Sequence, residues 1–368
     1  MARRTFLSGR ETEIKIGIEN FSEDKTVLEV TAGRVGFGTT LATAGLDVYT
    51  DTIFNENVSF NGLTTFIGIS TFDGNVGFDS SSIATFDGQV IANSSIIING
   101  ISTFNGDSIF DGNIEVNGIT TFNNIVNLGT VNLDSDTTID GNLTVNGIST
   151  FNGISTFNGD PRFLGDSVFD GNIEVNGIST FNGIVNLGTV NLDSDTTIDG
   201  NLTVNGISTF NGDPRFLGDS VFDGNIEVNG ISTFNGISTF NGDPRFLGDS
   251  VFDGNIEVNG ISIFNGISTF NGISTFNGDP RFIGDSNFDG SLTVNGISTF
   301  NGISTFNGDP RFLGDSVFDG NIEVNGISTF NGIVNLATVN LDSDTTIDGN
   351  LTVNGITTFN GISSFVGD

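Results

Sequence analysis

The sequence predicts an all-β protein, a parallel β-helix of hexapeptide repeats, and three observations carry that prediction. From about Asn55 onward one six-residue unit recurs almost without interruption, most plainly across Asn146 to Phe181. A period this short identifies a solenoid before any single strand is considered. The sixth position is apolar in strict phase, as in Phe151, Phe157, Phe163, Phe169, Val175 and Phe181. The first two positions are Asn-Gly or Asp-Gly, as in Asn146-Gly147 and Asn152-Gly153, where the chain is expected to turn because this pair tolerates positive φ.

Each hexad reads as a short strand and a corner. Position four is small or β-branched (Ser149, Ser155, Pro161, Ser167, Ile173, Ser179), and it lies two residues from position six. On an extended segment those two share the inward face, while positions three and five point out. One hexad cannot stand alone. Ordering six residues costs roughly 6–12 kcal/mol of backbone entropy, against about 1.5–3 kcal/mol for burying one Phe. Rungs must therefore stack, pairing their backbones and closing a continuous core. A hairpin meander would need longer strands than a turn every six residues allows. Disorder is opposed by the phased Phe positions.

In chain order, residues 1–54 form a non-repeating segment, expected to be a small β module that caps or attaches the shaft. Glu13–Ile18 alternates polar and apolar residues, Asn20–Lys25 reads as a turn, and Thr26–Val30 reads as a second strand. Gly33–Gly38 is a Gly-rich third segment. Residues 55–368 form the repeat shaft. Asp79–Phe86 carries eight residues where six are expected, which predicts a bulged corner. Three hexads are one residue short: Gly129–Leu133, Gly188–Leu192 and Ala337–Leu341.

Asp-Pro-Arg cassettes begin at Asp160, Asp213, Asp243, Asp279 and Asp309, the last three intervals being five, six and five hexads. A single chain with three hexads per coil would set like above like every third hexad, and five is not a multiple of three. Interchangeable sides are thus required. The expectation is an intertwined homotrimer in which each chain gives one side to every rung, with a single chain of three equivalent faces as the alternative.

Composition excludes several classes of function. The 368 residues hold 44 acidic and 11 basic side chains, a net charge of −33, and no basic patch, which argues against nucleic-acid binding. An anionic membrane surface would repel the chain, and no apolar run approaches transmembrane length. The basic start, Met1 to Glu13, lacks an apolar h-region and does not read as a secretory signal. There is no Cys and no His, hence no thiolate, no imidazole base and no Ser-based triad. No catalytic, cofactor-binding or metal site is expected.

The remaining motifs read as structure. Paired carboxylates such as Asp134 and Asp136, or Asp160 and Asp166, resemble a glycosidase pair but recur with every cassette. Asp134, Asp136 and Asp140-Gly141 approach a Ca²⁺ loop, yet Thr138 stands at the third ligand position and the bidentate Glu is missing. In Asp160-Pro161-Arg162, the Pro suits a strand lacking one hydrogen-bond partner and the Arg faces outward among acids. Outward Ile-x-Thr rows could offer a flat ice-binding face, an idea opposed by the Asp, Arg and Glu expected to interrupt every row.

Shifted to start at Phe, the hexad reads Phe-Asn-Gly-Ile-Ser-Thr and is similar to the left-handed β-helix hexapeptide consensus over residues 55–368. Phe in place of an aliphatic residue implies a wider core, which again favours a trimer. Enzymes of that class, acyltransferases and some carbonic anhydrases, depend on histidine. Separately, Gly33–Thr40 followed by Gly45–Val48, and the text of Asp140–Ile148, resemble structural and fibre proteins of tailed phages, marine cyanophages especially. That resemblance implies a non-enzymatic virion fibre or appendage. Its N-terminal module would meet tail, neck or capsid proteins, and its shaft would project towards a host receptor engaged through a distal partner. The chain would be assembled in the host cytoplasm and extracellular after lysis. The alternative is a bacterial extracellular filament subunit or surface adhesin on a monomeric β-solenoid.

Overall fold

The computed structural model describes residues 35–37, 46–48, 51–80 and 82–367. The described chain is all-β: short parallel strands, nearly all of three residues, separated from Leu46 onward by corners of two to four residues. Each strand occupies positions four to six of a hexad, as in Ser238–Phe240 and Ser268–Phe270. From Leu46–Val48 onward consecutive strands take the three sheets in turn, so three hexads make one coil and three parallel sheets form the sides. A β-solenoid of about 17 coils results.

Register identifies what closes each coil. Ser238 lies beside Ile256 and Phe240 beside Val258, three hexads on in the same chain. A repeated pair of corner hydrogen bonds locks this stagger. Ser238 N–H donates to Asn255 O in the coil above at 2.9 Å, and Asn241 N–H donates to Phe222 O in the coil below at 2.8 Å. One chain therefore supplies all three sides, where the sequence suggested an intertwined homotrimer with one side from each chain. The alternative, a single chain with three equivalent faces, accommodates the cassette spacing because no cassette has to lie above its own copy. Pro161–Phe163 and Pro214–Phe216 lie on one side, Pro244–Phe246 and Pro280–Phe282 on a second, and Pro310–Phe312 on the third.

The aromatic core fits one chain because the rings divide their contacts by direction. Between coils, rings stack: Phe252 and Phe270 are 5.1 Å apart and 1° from parallel. Within a coil they meet edge to face, Phe264, Phe270 and Phe276 forming a triad at 5.4–6.0 Å with interplanar angles of 83–88°. Edge-to-face and offset stacked pairs are the two arrangements the ring quadrupole favours. Three phenyl groups thus fill a cross-section without a wider, three-chain core. The predicted ladder residues Phe151, Phe157, Phe163, Phe169, Val175 and Phe181 are all buried.

Position four completes the interior with small side chains. Ser149 hydrogen-bonds Ser167 at 3.0 Å and Ser179 pairs with Thr196 at 2.8 Å. Other inward hydroxyls, those of Ser208, Ser262 and Ser274 among them, are buried without a partner.

The corners depart from the expected turn chemistry. Among the described glycines only Gly62 has a positive φ, +126°. The second-position glycine answers to stacking instead. A Cβ on Gly153 would lie 2.4 Å from Ser135 C, and one on Gly147 would lie 2.5 Å from Thr130 Oγ1. Coils about 4.8 Å apart leave no room for a side chain at this corner.

The irregular hexads are absorbed at corners. In the short ones two residues connect the strands, and Ile114 pairs with Val131, one position short of three full hexads. At the eight-residue insertion Leu63 pairs with Ile83, two positions beyond three hexads. There Ser82 Oγ donates to Phe60 O at 2.7 Å and accepts Gly62 N–H at 3.1 Å, satisfying backbone groups that the longer corner separates.

Upstream of residue 55 the stack already exists. Thr52–Phe54 pairs with Ser70–Phe72, Leu46–Val48 with Leu63–Phe66, and Val35–Phe37 with Leu46–Val48. The segments Glu13–Ile18, Asn20–Lys25 and Thr26–Val30 lie outside the described residues.

Candidate functional site

The outward surface is built from three kinds of position, each repeating with every coil. Position one carries Asn or Asp at the start of most corners, and Leu or Ile after each Asp-Pro-Arg-Phe strand. Its side chains form ladders, as where Asn158 Nδ2 donates to Asp140 Oδ1 at 2.6 Å and Asn176 Nδ2 to Asn158 Oδ1 at 2.7 Å. Asn152 likewise donates to Asp134, while Asn146, which lies above the shortened corner, has its following amide, Gly147 N–H, on Gly129 O at 3.0 Å.

Position three carries either Ile or an acid or amide. Where it is Asp, Oδ1 accepts the backbone N–H of the residue directly above: Ile178 on Asp160, Ile184 on Asp166 and Ile154 on Asp136, each at 2.9 Å. This role was missed in the sequence. Its signal was available, since all five Asp-Pro-Arg cassettes have an Asn-Gly-Ile-Ser corner three hexads later, and the Ile N–H of each lies on the cassette Asp. Pro at position four supplies no N–H to the coil above, so its strand pairs there through the two following residues alone, Arg245 with Ile263 and Phe246 with Phe264.

These bonds account for the carboxylates that resembled catalytic or calcium ligands. Asp134, Asp136 and Asp140 each turn to a group in the coil above. Asp160 and Asp166 stand on different corners, before the strands Pro161–Phe163 and Ser167–Phe169 of different sides. Among the described residues no group of three or more Asp or Glu is placed to hold a metal ion.

Position five faces outward from mid-strand. Arg245 Nη1 lies 3.3 Å from Glu227 Oε2, with 51% and 40% of the two side chains exposed. A pair so solvated contributes about 0–1 kcal/mol. It lies in a shallow groove of 360 Å³ bordered by Thr209, Ile226 and Ile263.

One outward column is threonine at every coil for six coils. Thr65, Thr85, Thr103, Thr121, Thr138 and Thr156 form one continuous outward column, each in direct register with the next. Beside its first four members stand Leu63, Ile83, Ile101 and Ile119, about half exposed. Charged residues do interrupt outward rows elsewhere. This column ends at Glu174, which lies above Thr156.

Searches against family models, curated proteins and solved structures each returned no match.

Proposed function

We propose that this chain is a non-enzymatic structural shaft, an appendage of a phage virion, with residues 1–54 at the particle and the solenoid projecting from it. The observation that carries the reading is the uniformity of the stack. From Thr52 to Phe365 the coils share one three-sided plan, and among the described residues no long loop leaves it to form a pocket or lid. A chain that adds coils without adding a site extends distance. The virion setting rests on the resemblance of Gly33–Thr40, Gly45–Val48 and the repeat text to phage fibre proteins.

The test is to raise antibodies against residues 82–367 and label purified particles and host cells for electron microscopy. Gold confined to an appendage is the expected outcome. Label on cell surfaces and none on particles would overturn it in favour of a filament subunit or adhesin. That second reading draws support from the single-chain coil, because a monomeric solenoid needs no fibre trimer. Rod length and mass separate the assembly states. About 17 coils at ~4.8 Å give roughly 80 Å for a 38.6 kDa single chain, whereas an intertwined trimer would extend to roughly 250 Å at one hexad per rung.

A further inference from the structure

Asn-Gly is the dipeptide most prone to forming a succinimide, because glycine leaves its own amide nitrogen unhindered, and this chain places Asn-Gly at corner after corner. The corners are not equivalent. Asp223, Asn241, Asn259, Asn277 and Asn295 stack in one column, each Asn Nδ2 donating to the Oδ1 below at 2.6–2.8 Å. Interior carboxamides such as Asn259 are held from both sides.

Five corners of regular length break this pattern. Asn182, Asn235, Asn265, Asn301 and Asn331 each lie one coil above an aliphatic side chain: Leu164, Leu217, Leu247, Ile283 and Leu313. In the coil above, each meets Asp199, Asp253, Ile283, Asp319 or Asp348, none of which can donate as a carboxylate or alkyl group. Their main-chain N–H groups make the ordinary corner bond, Asn265 to Phe246 O at 2.9 Å for example. Their carboxamides do not enter a ladder, and Asn265 Oδ1 is buried with no partner at all. At the irregular corners of Asn146 and Asn205 the glycine nitrogen itself is engaged, Gly147 N–H on Gly129 O at 3.0 Å and Gly206 N–H on Gly188 O at 3.1 Å.

We infer that these five asparagines are the deamidation sites among the regular corners of the folded protein, and that the carboxamide ladder protects the corners that have one. The main-chain nitrogen of Gly183, Gly236, Gly266, Gly302 or Gly332 gives up its proton to solvent base and attacks the preceding Asn Cγ. A Cγ–N bond forms, the bond from Cγ to the side-chain nitrogen breaks, and that nitrogen leaves as ammonia. Water then opens one of the two imide bonds, yielding aspartate or isoaspartate. Water is the only co-reactant. An Asn held from both sides, such as Asn241, Asn259 or Asn277, must first give up two hydrogen bonds to turn Cγ towards the glycine nitrogen. That requirement slows it roughly 5- to 100-fold relative to an unladdered one. Each conversion adds a negative charge, and isoaspartate adds a methylene to the main chain at a corner with no spare space.

The test uses the intact chain, incubated folded at mildly alkaline pH and mapped by mass spectrometry over time. Cleavage after Arg162, Arg215, Arg245, Arg281 and Arg311 puts one of the five asparagines in each of five peptides. The expected result is an amide-to-acid mass gain at Asn182, Asn235, Asn265, Asn301 and Asn331 well before Asn241, Asn259 or Asn277, with the order lost in denaturant. Leu247→Asp supplies an acceptor below Asn265 and is expected to slow it at least about fivefold. Asn241→Leu removes the acceptor below Asn259 and is expected to accelerate it similarly. Equal rates at laddered and unladdered corners of the folded chain would overturn the inference. So would five intact asparagines under conditions where the denatured chain reacts, or no change at Asn265 in Leu247→Asp.

Discussion

Replacing Phe240 by Ala tests whether the rod is held coil by coil. Phe240 is fully buried. It stacks on Phe222 at 5.3 Å and 6°, and meets Phe234, Phe246 and Phe252 edge to face at 5.6, 5.7 and 6.2 Å. Truncation removes the transfer free energy of the ring and leaves a cavity that backbone pairing above and below prevents from collapsing. The cost should fall at about 3–5 kcal/mol, and four aromatic contacts place it in the upper part of that range. In a solenoid each coil contacts only its neighbours, so the loss should stay local. Amide hydrogen exchange reads this directly. The amides of Asn241, on Phe222 O, and Asn259, on Phe240 O, should lose roughly 10³-fold in protection. Those of Asn158 and Asn325, several coils away, should be unchanged. Uniform acceleration along the rod would refute nearest-neighbour coupling, and a change below tenfold at Asn241 and Asn259 would refute the packing assignment.

Six further substitutions probe the corners and the inward polar positions. Gly254→Ala would set a Cβ 2.1 Å from Gly236 O and should destabilise by about 2–4 kcal/mol. Gly77→Ala, whose nearest contact is Ser59 Oγ at 3.9 Å, should be close to neutral in the same thermal melts. Ser274, between Ile256 and Leu292, buries an unpaired hydroxyl, so Ser274→Ala should leave stability equal or raise it by up to ~1 kcal/mol. Ser298→Ala instead breaks a 3.2 Å bond to Ser316 and should lower stability by about 1 kcal/mol in denaturant titrations. Asp243→Ala should cost about 1 kcal/mol by leaving Ile261 N–H without its 2.8 Å acceptor, while Asp243→Asn keeps an acceptor oxygen and should retain most of it.

The hexad itself was legible in the residues. Phase at position six placed Phe151, Phe157 and Phe163 inside, and the same period placed Asn152-Gly153 at a corner, because a period of two within each strand leaves only one way to bury the apolar set. The eight-residue stretch Asp79–Phe86 likewise announced an irregular corner, since any extra residue must leave the strand register. The reason for the glycines was not legible. Gly153 is required by the backbone of the coil beneath it, a neighbour three hexads away in sequence, rather than by its own φ.

The amino-acid sequence by itself determined the repeat, the inward and outward faces and the need to stack, all of which follow from local periodicity and the insufficiency of one hexad. Tertiary structure decided which strand stacks on which. Three equivalent sides let Asp-Pro-Arg cassettes at intervals of five and six hexads sit in one chain without like above like. The features that depend on vertical neighbours, namely the threonine column from Thr65 to Thr156, the Asp160–Ile178 type of cap and the unladdered Asn265, exist only once that register is known. Hydrogen bonds between coils, not along the chain, create them.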